Sequence, residues 1–176
     1  MVTAAYISRV LRPSGVGINA FTNSIINYFQ LFASIGIGYY GNRQIAYVRE
    51  NKKRMSEIFW EIQIIKIIMT LVSYISFEVF LLFYDTQLNY MLAQSINIIA
   101  VGFDISWFYE GIEDFKTIVL KNAIVKLLST IAIFVFVKKP SDLCLYIVVI
   151  SLSFLFGNLT LWPNLKRNLI KVNWKK

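Results

Sequence analysis

Uncharged runs separated by short charged stretches set the pattern of this chain. Positions 13–42, 86–103 and 143–162 hold no charged residue, giving runs of 30, 18 and 20 residues. A helix rising about 1.5 Å per residue needs roughly 20 apolar residues to cross a hydrocarbon layer about 30 Å thick. The pattern therefore predicts membrane-crossing helices over 18–39, 58–84, 88–108, 117–137 and 143–162. Met1–Ser8 reads as the stub of a further helix. The fold class expected is all-α, a polytopic membrane helix bundle with about five complete transmembrane helices plus that stub. The stretch Gly102–Lys121 organises the rest. It reads as the inner end of one span, a short polar turn and the start of the next, with Trp107, Phe108 and Tyr109 as an aromatic belt at the interface.

Composition narrows the class. The 176 residues are 57% hydrophobic and 16% charged, against roughly a quarter charged in an ordinary globular domain. The net charge of +8 comes from cations that sit mostly in the loops, which is membrane topology rather than a nucleic-acid patch. The chain has no His and a single Cys, Cys144, inside an apolar run. That excludes an internal disulfide and leaves zinc sites and His-dependent nucleophiles unsupported, so no catalytic residue, metal or cofactor is expected. Glu110, Glu113 and Asp114 read as an acidic helix start, favourable near a positive helix end. No enzyme is expected.

Loop charges set the orientation. The loops after Tyr39, Phe108 and Trp162 hold 11 of the 18 Lys and Arg, including the cluster Arg43, Arg49, Lys52, Lys53 and Arg54. Basic loops are cytoplasmic, so a multi-pass membrane protein with its C-terminus inside is expected. Five spans then leave residue 1 outside, and a missing first helix would account for it. The chain reads as a fragment.

Charges within spans each cost roughly 2.5–3.5 kcal/mol at the bilayer centre, so each needs a reason. Asp104 and Lys121 each lie about 6 Å inside the inner ends of consecutive antiparallel spans and are expected to pair. Lys66 and Lys126 lie roughly 12 and 14 Å deep on different helices. They are expected to help line a cationic cavity suited to a phosphate-bearing substrate; the alternative is that the long side chains snorkel to the interface.

The order and spacing of short motifs carry a family resemblance. Tyr6-Ile-Ser-Arg-Val-Leu11 with Gly15-Val-Gly17, Gly36-Ile-Gly38 with Tyr40-Gly-Asn-Arg43, Asp104-Ile-Ser-Trp-Phe108, and Leu161-Trp162-Pro163 run in sequence through the chain. In this it resembles the Wzx-type polysaccharide flippases of the MATE-like exporter superfamily. The resemblance implies two six-helix halves around a central cavity, of which residues 1–176 match the N-terminal half. It implies flipping of an undecaprenyl-diphosphate-linked oligosaccharide across the cytoplasmic membrane in polysaccharide biosynthesis. Arg9 matches the family's cavity arginine. Lys66 and Lys126 are substrate-binding candidates by depth, and Asp104, Lys121, Trp107 and Arg43 are structural or gating candidates. Arg12 stands where such flippases usually carry Gly. The partners implied are the lipid-linked oligosaccharide, membrane lipids, and the missing C-terminal half or a second copy. Ion coupling, by H+ or Na+, is compatible with such a transporter, and the sequence names no ion. Two other readings stay open: an inactive membrane remnant or interaction protein, and another exporter of the superfamily such as a drug/cation antiporter.

Overall fold

The computed structural model describes residues 2–170, and every regular element among them is a helix. In chain order these are α1 (Val2–Ser34), α2 (Ile37–Val48), α3 (Lys52–Leu81), α4 (Leu88–Gly102), α5 (Ser106–Gly111), α6 (Phe115–Phe136), α7 (Leu143–Leu159) and α8 (Leu165–Asn168). A short 3-10 turn, Pro140–Asp142, leads into α7. Among the described residues four stretches are long and apolar enough to cross a membrane: Lys52–Leu81, Leu88–Gly111, Phe115–Phe136 and Pro140–Leu159. Helices satisfy every backbone donor and acceptor within one segment, which hydrocarbon demands because it offers no water in exchange.

The expected span over 18–39 divides differently. Helix α1 carries it as far as Ser34, Gly36 takes a left-handed φ of 67°, and Ile37 opens α2. Asn19, Asn23, Asn27 and Gln30 make α1 more polar than the other long helices, and it is not among the four apolar stretches. Residues 2–8, read as a stub, join that span through a kink within α1, where Arg12 has φ 61° and ψ 169°. Pro13 explains it, because its ring displaces the preceding turn and supplies no N–H. The loop expected over 42–57 is largely helical as well. Val48 ends α2, and the Asn51 side chain accepts from the Arg54 N–H to cap α3. Lys171, Lys175 and Lys176, expected among the terminal cytoplasmic charges, lie outside the described residues.

Other boundaries follow local chemistry. The Asp114 carboxylate accepts from the Thr117 N–H at 3.2 Å and from its hydroxyl at 2.6 Å, capping α6. The Asp142 carboxylate accepts from the Lys138 and Lys139 N–H groups and fixes the corner before α7. Such caps satisfy donors that a helix start leaves open.

Helix α4 lies at the centre, packed by α1, α3 and α7. The aromatic triplet after it is not an interfacial belt: Trp107, Phe108 and Tyr109 are all buried. The chain breaks after Gly102, and α5 turns under α2 and α3, which cover it. Phe59 of α3 stacks on Trp107 with centroids 5.5 Å apart and meets Phe108 edge-on at 5.2 Å. Close approach of α2 depends on glycine. A Cβ on Gly41 would lie 2.5 Å from Trp107 Cε3, and one on Gly111 would lie 2.7 Å from Ile45 Cβ. Helix α6 is the outlier, packing mainly on α7 and burying only Ile133. Its apolar exterior, with Ile64, Ile68, Leu71 and Ile75 of α3, is surface that water would not tolerate and lipid would.

Candidate functional site

A cleft of about 630 Å³ opens between α1, α6 and α7. Helix α6 supplies one wall, with Lys121, Asn122, Val125, Lys126, Ser129 and Ile133 recurring at helical spacing. Helix α1 contributes Ile7, Leu11 and Asn19, and α7 contributes Tyr146, Ile150, Ser153 and Gly157. Gly157 is where α6 and α7 approach, since a Cβ there would lie 2.8 Å from Val125 Cγ2. Among the described residues no carboxylate lines the cleft, so its formal charge is that of Lys121 and Lys126. Lys121 is held in place by donating to Asn158 Oδ1 at 3.0 Å. Lys126 is exposed and has no carboxylate partner among the described residues. An ammonium about 4 Å from a unit negative charge gains about 4 kcal/mol at an effective dielectric of 20. The arrangement therefore suits an anion flanked by hydroxyl-bearing and apolar groups.

A second feature lies where α4 breaks. The helix ends at Gly102, and the turn Phe103–Ile105 would leave carbonyl oxygens without partners inside the bundle. Side chains from other helices supply the donors. Asn158 Nδ2 donates to the Ala100 carbonyl at 2.8 Å, and Gln63 Nε2 to that of Gly102 at 2.8 Å. Trp162 Nε1 donates to the Phe103 carbonyl at 2.9 Å, and Lys66 Nζ to that of Asp104. Gly102 itself sits against Thr70, where a Cβ would come within 2.9 Å of Cγ2. Asp104 turns its carboxylate onto the Ser106 N–H at 3.0 Å and the Ser106 hydroxyl at 2.6 Å.

These contacts separate residues that the sequence grouped. Lys66 is only 3% exposed and lines a different cavity, of about 530 Å³, with Asp104, Trp107, Glu110 and Asn42. Lys66 and Lys126 thus share depth but no cavity, because α3 and α6 flank opposite sides of α4 and α7. Lys121 and Asp104 form no ion pair, since each is already engaged, by Asn158 and Ser106 respectively. Arg9 is exposed and does not line the cleft, although its neighbour Ser8 does. Arg43 lies on the exposed face of α2, donating to the Tyr47 hydroxyl at 3.2 Å with its guanidinium over that ring. Trp107 is buried beneath α2. Sequence reasoning missed Gln63 and Asn158 as partners of the break. The available signal was an amide inside an apolar span, a position that hydrocarbon tolerates only with a partner.

A helical bundle with an apolar exterior and a basic cleft between its helices defines a multi-pass membrane protein. The chain belongs to the polysaccharide biosynthesis protein family, whose model matches residues 1–173. It is also similar to a putative O-antigen transporter of Escherichia coli (strain K12), with 25% identity over 148 residues. That match covers 82% of this chain and 36% of the relative, so the chain spans about a third of the relative's length. No solved structure matches it.

Proposed function

We propose that the protein takes part in moving a lipid-linked oligosaccharide, carried on a prenyl diphosphate, across the bacterial cytoplasmic membrane. The observation that carries this reading is the cleft without carboxylates in which Lys121 and Lys126 stand together in a chain of this family. The two ammonium groups would meet the diphosphate. Asn19, Asn122, Ser129 and Thr130 offer hydrogen bonds to polar groups beside it, and Ile7, Leu11 and Val125 offer an apolar wall to the prenyl chain. Lys66 takes a different role in this reading, holding the break in α4, with Asp104 and Trp107 as its neighbours. Alternating access needs one lobe moving against another around such a site. The nearly bare α6 would be covered by a second lobe, supplied by further sequence or another copy. The C-terminal side of the bundle is taken as cytoplasmic from its basic loops.

A drug/cation exporter is disfavoured on electrostatic grounds, since two lysines repel a cationic drug. Binding separates the readings. Undecaprenyl diphosphate should bind the purified chain in nanodiscs, and Lys121→Gln/Lys126→Gln should weaken it about tenfold or more with unfolding temperature unchanged. Equal binding by wild type and variant would defeat the assignment, and preference for a cationic dye would favour the exporter. If binding is lost in the variant yet the chain fails to restore polysaccharide export in a flippase-deficient strain, an inactive remnant is the better reading.

A further inference from the structure

Helix α2 has 12 residues, about 18 Å at 1.5 Å per residue, which is too short to cross a membrane. It packs on α5, at the end of the span Leu88–Gly111, and on α3, where the span Lys52–Leu81 begins. It therefore lies at the level where spans leave the hydrocarbon. Its apolar stripe, Ile37, Gly41 and Ile45, is buried against the protein. The opposite face presents Tyr39 at 92% exposure and Tyr47 at 69%, with Arg43 between them. Lys52, Lys53 and Arg54 follow in the first turn of α3, which has no acidic residue. Cations at the positive end of a helix are mutually and dipolarly unfavourable until an anion offsets them. Two arginines in this region have carboxylate partners, Arg49 with Glu113 at 2.5 Å and Arg54 with Glu57 at 3.0 Å. Arg43, Lys52 and Lys53 have none among the described residues.

From this we infer that the outer face of α2 and the start of α3 form a docking surface for anionic phospholipid head groups. Tyrosine sits well at head-group level because its ring is apolar and its hydroxyl polar. Unpaired basic side chains beside it add attraction to an anionic leaflet. Between the two helices a hollow of about 570 Å³, lined by Tyr47, Arg49, Glu50, Asn51 and Arg54, gives a phosphate room at the corner, where two guanidiniums outnumber the one carboxylate. Arginine has five donors, so both guanidiniums keep free N–H groups beyond their ion pairs. The inference is independent of what the cleft carries.

The test reconstitutes the chain in nanodiscs of phosphatidylcholine with 30 mol% phosphatidylglycerol, then releases it for native mass spectrometry. The wild type should retain phosphatidylglycerol in several-fold excess over its share of the bilayer. The variant Arg43→Gln/Lys52→Gln/Lys53→Gln, all at exposed positions, should lose most of that excess with its unfolding temperature unchanged. The charge-conserving Arg43→Lys alone should keep it. Retention in proportion to bilayer content, or unchanged enrichment in the triple variant, would overturn the proposal. Displacement of the retained lipid by millimolar inorganic pyrophosphate would also overturn it, by marking a soluble phosphate site instead.

Discussion

Lys66 spends its side chain on one backbone oxygen, that of Asp104, from a position that is 3% exposed. Depth along the helix was legible in the sequence, and so was the cost of placing an ammonium there. Which neighbour met that cost was not, because the partner is a carbonyl freed by a helix break rather than a charged side chain. Replacing Lys66 by Met keeps the length of the side chain but leaves the Asp104 carbonyl without its donor. A buried acceptor left in that way costs about 1–3 kcal/mol. Lys66→Met should therefore lower the unfolding midpoint in detergent while leaving prenyl-diphosphate binding within about twofold of wild type. Stability unchanged with binding lost would return Lys66 to the substrate site. Lys121 shows the reverse case. Its sequence position suggested a partner for Asp104, yet Asn158, 37 residues downstream, accepts from it at 3.0 Å.

The elements were more legible than their interruptions. Uncharged runs located α4 and α7, because nothing but a membrane helix explains 18 or 20 such residues in succession, while α3 and α6 were located by apolar stretches broken only by single charges. The break between α4 and α5 left no comparable mark. Gly102 and Asp104 are weak signals alone, and the donors that make the break tolerable come from residues 63, 66, 158 and 162, on other elements. Helix α2 was hidden for the opposite reason: its polar and basic face resembled a loop. Asn158 joins the cleft to the break in α4, since it donates to the Ala100 carbonyl and accepts from Lys121. Asn158→Leu should destabilise the fold by about 1–3 kcal/mol, as a buried carbonyl loses its donor. It should also weaken prenyl-diphosphate binding by releasing Lys121. A variant with normal stability and normal affinity would show that Asn158 links neither feature.

At the scale of the whole molecule, orientation follows from where cations fall. Basic stretches flank the ends near α2 and α8, and these should share one side of the membrane with α5, which packs on α2. With Cys144 replaced by Ala, single cysteines placed at Glu50 and at Lys139 should label from opposite sides of sealed vesicles. Labelling of both from the same side would break the proposed arrangement. The family and the helical class were readable from motif order and uncharged runs. The carboxylate-free cleft was not, because it depends on which faces of α1, α6 and α7 the packing turns toward one another. Whether that cleft receives the substrate is best tested by photocrosslinking with a photoreactive prenyl diphosphate, followed by peptide mapping. Adducts are expected on α6 between Lys121 and Thr130 and on the facing residues of α1 and α7, competed by unlabelled prenyl diphosphate. Adducts confined to the Lys66 cavity, at residues 31–42 and 101–110, or labelling that no competitor removes, would contradict it.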